Sequence, residues 1–268
     1  MATLMPGVSL LQHEEPTLAE GVTYTPLVCL ILRGRKETSF AGRTMRVRAG
    51  ELLLVSHDVP IVARVLEAPY LALVFELELS MLRSLYEEVG EAVPASDRGQ
   101  AVQVARAPVA IVEVFERQLA LVDAPIDARV LGPMLRRELH YRLLFAPFGA
   151  MLRDLLRHDS DASAIARAIG ILRRDFRKTI AIPQLARDVG MSSSAFHKHF
   201  KRVTSVSPLQ YQKGLRLDEA RRALRFGNEP VSSVAYDVGY ESPTQFSREY
   251  ARRFGRPPSR DAGQATSG

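Results

Sequence analysis

One helix-turn-helix pattern is written twice between Ile182 and Pro258, and no other feature constrains the chain so strongly. The first copy runs LARDVGMSSSAFHKHFKRVTSVSP, Leu185 to Pro208; the second runs VAYDVGYESPTQFSREYARRFGRPP, Val234 to Pro258. Before the turn the copies lie 49 residues apart, pairing Ala186 with Ala235, Asp188 with Asp237 and Gly190 with Gly239. After it the offset is 50, because the second turn is one residue longer. Phe196 then falls on Phe246, Lys198 on Arg248, Phe200 on Tyr250, Arg202 on Arg252 and Pro208 on Pro258. The glycines can take the left-handed backbone that a sharp turn needs. Ser192 or Ser193 can cap the second helix of the first copy, and Ser242 followed by Pro243 is a cap with proline at the first helical position. In each second helix the aromatics stand four apart, so they share one face and pack on the preceding helix. The remaining faces are polar and basic, the composition of a helix laid into a major groove.

Pro208 to Arg225 joins the copies. Leu209, Leu215, Leu217, Ala220 and Leu224 suit an amphipathic helix. Eighteen helical residues span about 27 Å, close to the roughly 34 Å that separates successive major grooves on one face of DNA. Charge follows the same division. Residues 165–258 hold 18 Lys+Arg against 8 Asp+Glu, a net of +10, whereas the rest of the chain holds 18 against 22, a net of −4. Basic charge is concentrated where phosphate binding requires it.

The LA…VGMS opening, the F-K-R run at Phe200 to Arg202, Ser207-Pro208 and the VA-Y-D-VGY…F-SR core resemble the DNA-binding domain of the AraC/XylS family of bacterial transcription regulators, over roughly Ile165 to Pro258. Ser205 departs from the pattern, standing where the family usually has glycine. The resemblance implies that Ser194, His197 and Lys198 face bases in the first reading helix, and Thr244, Gln245, Ser247 and Arg248 in the second. Lys and Arg suit guanine edges, and Ser or Thr several bases. Lys201, Arg202, Arg252 and Arg253 are expected on phosphates; Phe196, Phe200, Phe246 and Tyr250 are expected in the core. The implied partners are double-stranded promoter DNA and RNA polymerase, with activation the family's usual mode.

Residues 1–80 read as mostly β. Leu27 to Gly34 is an apolar run ending in a glycine, Met45 and Val47 alternate with arginines, and Pro60 to Val65 and Tyr70 to Leu77 look like two further strands. CLILRGRKE, VRAGELLLVSHDVP and APYLALVFELE resemble the AraC-type regulator N-terminal domain over about residues 5–155. That resemblance implies a cupin-like β-barrel that senses a small-molecule effector or forms a homodimer. From Leu79 the period turns helical: Met81 to Val89, a polar break at Pro94 to Gly99, then Val109 to Val122, Leu131 to Phe145, Phe148 to Arg157 and Ile165 to Lys178. The expected organisation is α+β: a cupin-like barrel with flanking helices over 1–158, a polar linker at 159–164, an all-α double helix-turn-helix domain over 165–260, and a disordered tail at 261–268.

Cys29 is the single cysteine, which excludes an intrachain disulfide and a Cys-rich zinc site. No apolar run approaches a membrane span, and the N-terminus lacks a signal pattern, so the expectation is a cytoplasmic protein without a membrane partner. The alternative is a metal-dependent cupin enzyme carrying an accessory DNA-binding domain. It is disfavoured because the β region offers only His13 and His57 as imidazole ligands. Ser56, His57 and Asp58 hold the residue types of a triad, but neighbours in an extended segment do not converge. No phosphate-loop or dinucleotide motif is present, and no catalytic residue, metal or cofactor is expected.

Overall fold

The computed structural model describes residues 2–90, 100–157, 160–227 and 229–262. Eight strands form one antiparallel sheet: β1 Ala2–Met5, β2 Val8–His13, β3 Glu20–Tyr24, β4 Leu27–Phe40, β5 Arg43–Arg48, β6 Glu51–Val55, β7 Val59–Glu76 and β8 Val102–Arg106. The order is β1-β2-β7-β4-β6-β8, with β3 added to β7 and β5 to β4. β4 and β7 are long enough to serve both halves of the sheet. Leu27 to Arg33 of β4 faces the C-terminal half of β7, and Lys36 to Ser39 faces its N-terminal half, with register shifts around Arg33 and Arg35 between them. The bulges let one ladder bend and roll up. The two strands expected at Pro60–Val65 and Tyr70–Leu77 are therefore one, β7, and the run expected to end at Gly34 continues to Phe40 as β4.

β4 also explains its own composition. Val28 and Leu30 pack with Leu52, Leu54, Leu73 and Phe75 against the helices α1 Leu79–Val89, α2 Val109–Ala120, α3 Pro125–Phe145 and α4 Ala150–Leu156. Leu27, Cys29 and Ile31 point the other way, into the rolled interior with Val55, Val65 and Ala72. A strand buried on both faces reads as a continuous apolar run instead of an alternating one.

The helical half comprises α5 Asp161–Asp175, α6 Ile182–Asp188, α7 Ser193–Thr204, α8 Pro208–Phe226, α9 Val231–Asp237 and α10 Pro243–Phe254. α5 corrects the expected linker. Ser160 caps it by accepting from the Ser163 N–H, and Ala162, Ser163 and Ala164 are buried in its first turn. Alanines behind a good cap propagate helix where composition alone reads as a spacer. His158 and Asp159, and the break expected at Pro94 to Gly99, lie outside the described residues. α5 shares one apolar cluster with both the sheet interior and the first helix-turn-helix, through Ile165, Ile169 and Leu172. The second helix-turn-helix has its own core of Leu217, Leu224, Val234, Val238, Phe246 and Tyr250. On α8 the buried residues include Tyr211, Gln212, Leu217, Ala220 and Leu224, while Leu209, expected inward, is exposed.

The tail expected to be disordered from residue 261 begins with an anchored residue. Asp261 is fully buried, accepts from the Tyr250 hydroxyl at 2.6 Å, and lies among Arg221, Arg225 and Arg256. Burial pulls its pKa upward, but the Tyr250 hydrogen bond and the arginines outweigh it and hold the carboxyl below its usual range. Residues 263–268 lie outside the described residues.

His57 sits where the sheet meets α5. Its Nδ1 lies 2.9 Å from Ser56 Oγ and its Nε2 3.3 Å from the Ala162 carbonyl. Burial depresses its pKa to about 4, with the Ala162 bond opposing. The folded chain thus keeps the ring neutral at pH values where the unfolded chain, titrating near 6.5, binds a proton. Stability falls as pH drops from 6.5 towards 4. From this group alone the loss between pH 7 and pH 5 is about 2 kcal/mol. Urea unfolding at the two pH values should show it, and His57→Gln should remove that part of the acid limb.

Candidate nucleic-acid interface

The second helix of each motif, α7 and α10, begins with a serine cap. Ser192 accepts from the Ala195 N–H at 3.3 Å, and Ser242 from the Gln245 N–H at 3.3 Å, with Pro243 at the first helical position. The turns before them use glycine in the left-handed region, Gly190 at φ +79° and Gly239 at φ +95°. At Gly239 a Cβ would also fall 2.3 Å from the Arg177 carbonyl oxygen, so the turn needs glycine for room as well as for conformation. Ser205, at φ +67°, holds the left-handed cap that Gly255 holds at φ +72° in the second copy. A non-glycine residue there costs roughly 1–2 kcal/mol of backbone strain, and the chain carries it.

Phe196, Phe200, Phe246 and Tyr250 are all fully buried. With that stripe inward, Ser194, His197, Lys198 and Lys201 form one exposed face of α7. On α10 the corresponding face carries Thr244, Arg248 and Arg252, all exposed, and Ser247, half-buried. Gln245 is exposed and donates to Glu249 at 3.2 Å. Arg202 is exposed and lies 3.4 Å from Asp161 in the first turn of α5, which also meets His199.

Arg253 is placed elsewhere than expected. Its guanidinium is a fork on Asp218 of α8, with bonds of 2.7 to 3.0 Å. The reason is helical phase. Arg253 stands seven residues after Phe246 and three after Tyr250, on the inward stripe, and its counterpart in the first copy is the buried Val203. The duplication in the sequence carried that signal.

Four residues that sequence reasoning passed over tie α8 and α10 to their surroundings. Gln212 donates to the carbonyls of Phe176 and Lys178 at 3.0 and 2.7 Å. Arg216 donates to Phe176 at 2.7 Å and to Gly239, in the second turn, at 2.6 Å. Asp218 takes Arg253 on one side and the Thr23 hydroxyl of β3 on the other, at 2.6 Å. Asp261 gathers the last arginines. Arg216 and Asp218 could have been marked only by their place on the polar side of α8, and Asp261 by nothing but its place in the tail, while Gln212 is a polar residue on the buried side.

β3 is two-faced. Thr23 reaches α8, and Glu20 at its end pairs with Arg221. Its neighbour Tyr24 instead accepts from Lys36 inside the rolled sheet. There a cavity of about 420 Å³ is lined by residues of β2, β3, β4 and β7, among them Leu11, Val22, Leu27, Lys36, Val65 and Val74. Among the described residues no cluster of three or more His, Cys, Asp or Glu side chains could hold a metal, and no helix is long and apolar enough to cross a membrane.

The AraC-type transcriptional regulator N-terminus family matches residues 4–151, more than half of the chain, and a helix-turn-helix domain family matches residues 185–262. The chain belongs to the AraC family. It is similar to the HTH-type transcriptional regulator CdhR of Pseudomonas aeruginosa, 32% identical over 133 residues, covering 49% of this chain and 37% of that protein. It is similar to the HTH-type transcriptional activator RhaS of Escherichia coli, 29% identical over 158 residues, covering 59% of this chain and 54% of that one. These matches span between about a third and about half of the relatives' lengths. In fold the whole chain is similar to ToxT of Vibrio cholerae with an unsaturated fatty acid bound: TM-score 0.65, 11% identity, 95% of this chain and 92% of that one. ToxT bound to (E)-4-(8-methylnaphthalen-1-yl)but-3-enoic acid gives a TM-score of 0.62 at 12% identity, over 97% and 98% of the two chains. At such identity the likeness is one of architecture, and it extends to the pairing of a β sheet with a helical domain.

The two fates of basic side chains in the readers differ in their salt dependence. Lys201→Ala should lower the slope of log K against log salt for DNA binding by about 1, as for one lost phosphate contact. Arg253→Ala should leave that slope unchanged and lower the urea midpoint, because it strips Asp218 of its partner. Binding titrations at three salt concentrations and one unfolding curve separate them.

Proposed function

We propose that the protein is a sequence-specific DNA-binding transcription activator that reads two successive major grooves with α7 and α10. The observation that carries this reading is the pair of exposed polar and basic helix faces joined by a single connector, α8, which Gln212 and Arg216 tie to the end of α5 and to the turn before α10. Ser194, His197, Lys198, Thr244, Gln245, Ser247 and Arg248 read bases. Lys201, Arg202 and Arg252 take phosphates, and Arg253 positions α10. RNA polymerase is the onward partner, in keeping with relatives named as activators. The cavity of the rolled sheet receives a small-molecule effector, a reading supported by the ligand-bound ToxT structures. Selection of random DNA by the purified protein should return two blocks about ten base pairs apart. Arg248→Ala should cost about 1–3 kcal/mol on the selected site and relax its block; equal weakening on random DNA would reassign Arg248 to the backbone.

The N-terminal half also self-associates in this reading, through α3. The stripe Ile126, Val130 and Met134 is 70%, 64% and 64% exposed, on the side opposite the buried Leu135 and Leu139. Two copies of α3 packed antiparallel about the level midway between Val130 and Met134 set those residues against each other, with Asp127 of one copy opposite Arg137 of the next. Such a twofold contact is self-complementary. Sedimentation should find a dimer; Arg137→Asp should give monomers, and Asp127→Arg combined with Arg137→Asp should restore the dimer.

A further inference from the structure

Lys36 is the buried charge that the regulator reading leaves unused. It is 6% exposed, on a strand between Val65 and Val47. Its Nζ donates to the Tyr24 hydroxyl and lies 5.1 Å from the centre of that ring. Among the described residues it has no ion-pair partner. Of the nearby carboxylates, Glu37 is held by Arg46 and Arg64, Glu67 by Arg35 and Glu20 by Arg221, while Glu76, at the end of β7, lines the cavity but is exposed. A cation removed from water with one neutral hydrogen-bond acceptor is expensive, and natural interiors pair such groups. A methionine of the same length would fill the position at no such cost. Lys36 is also not sealed in packing. It lines the 420 Å³ cavity together with Leu11, Leu18, Val22, Leu27 and Val74.

We infer that the cavity takes an apolar monocarboxylic acid whose head group is held by Lys36. The inference rests on the effector reading above and narrows it. The charge count follows from one unpaired ammonium, which accommodates one acid group; a dianion would bury a second charge against apolar walls. The body of the ligand follows from the lining, whose surface is mostly apolar. A sugar or polyol is disfavoured, because each of its hydroxyls needs a partner once water is excluded and most of the cavity surface is apolar. Tyr24 adds a second polar contact. Its hydroxyl accepts from Lys36, so its own proton is available to the second oxygen of the acid. The thiol of Cys29, which burial pushes up in pKa, stays protonated and contributes as a small apolar wall.

Isothermal titration of the full chain with decanoate, 1-naphthaleneacetate, decan-1-ol and L-rhamnose tests this. At least one acid should bind one to one. Decan-1-ol should bind at least about thirtyfold more weakly than decanoate, the loss expected when a buried charge goes without its counter-ion. Lys36→Met should weaken the acid by a similar factor while binding the alcohol at least as well as the unaltered chain; retained alcohol binding shows that the variant has kept its cavity. Lys36→Arg should recover part of the affinity for the acid. Equal binding of acid and alcohol, tight rhamnose binding, or a Lys36→Met variant that holds decanoate undiminished would each overturn the inference, as would failure of both acids to bind. Specific DNA binding measured on the same preparation without added ligand separates that failure from failure of the regulator reading.

Discussion

The reach of Arg216 from the middle of α8 to carbonyl groups on both sides of it is the contact on which the arrangement of the readers depends. The last carbonyls of a helix have no partner within it. At the end of α5 they are met by Gln212 and Arg216, and the same guanidinium continues to Gly239 in the second turn. A planar fork with five donors suits that task; a lysine would reach one acceptor at a time. The connector thereby fixes a distance and a rotation. The helices α7 and α10 are thereby held in one arrangement through α8, which on the proposed reading spares the cost of ordering them on binding.

Much of this was legible in the sequence because each sign had a local cause. The duplicated turn glycines, the serine caps and the aromatic stripes sit within a few residues of what they determine, and the structure places them where the spacing implies. The reading failed where partners are distant. Asp161 to Ala164 look like a polar spacer until Ser160 is seen to cap a helix whose first turn is buried. Asp261 looks like the start of a loose tail, since nothing local shows four arginine and tyrosine side chains converging on it. Arg253 is the instructive case: its charge suggested phosphate, whereas its phase on the helix, and the valine that replaces it in the first copy, place it inward.

The sheet was harder to read than the helices for a related reason. β4 and β7 each serve two halves of a rolled structure, so their hydrophobic pattern changes meaning at the bulges. An unbroken apolar run and a glycine look like a strand and its end, yet Gly34 lies within β4 and the ladder resumes beyond it. The cavity polar groups were hidden for the same reason. Lys36 stands in a run of charged residues, R-G-R-K-E, and nothing in that run shows that the roll of the strand turns it into the cavity while Arg35 and Glu37 find ion-pair partners.

β3 is a short edge strand, five residues hydrogen-bonded to β7 alone, and its alternating side chains serve two masters. Tyr24 belongs to the cavity and Thr23 to Asp218, one peptide apart. An occupant that changed the pitch of this strand would alter the footing of α8, which joins the two helix-turn-helices. The relation has no preferred direction. Whatever factor an occupant applies to the hold on DNA, DNA applies to the hold on the occupant. With such a coupling, a bound promoter would act as a second ligand of the cavity, and the affinity measured for a small molecule in dilute solution would differ from that for the protein seated on its site.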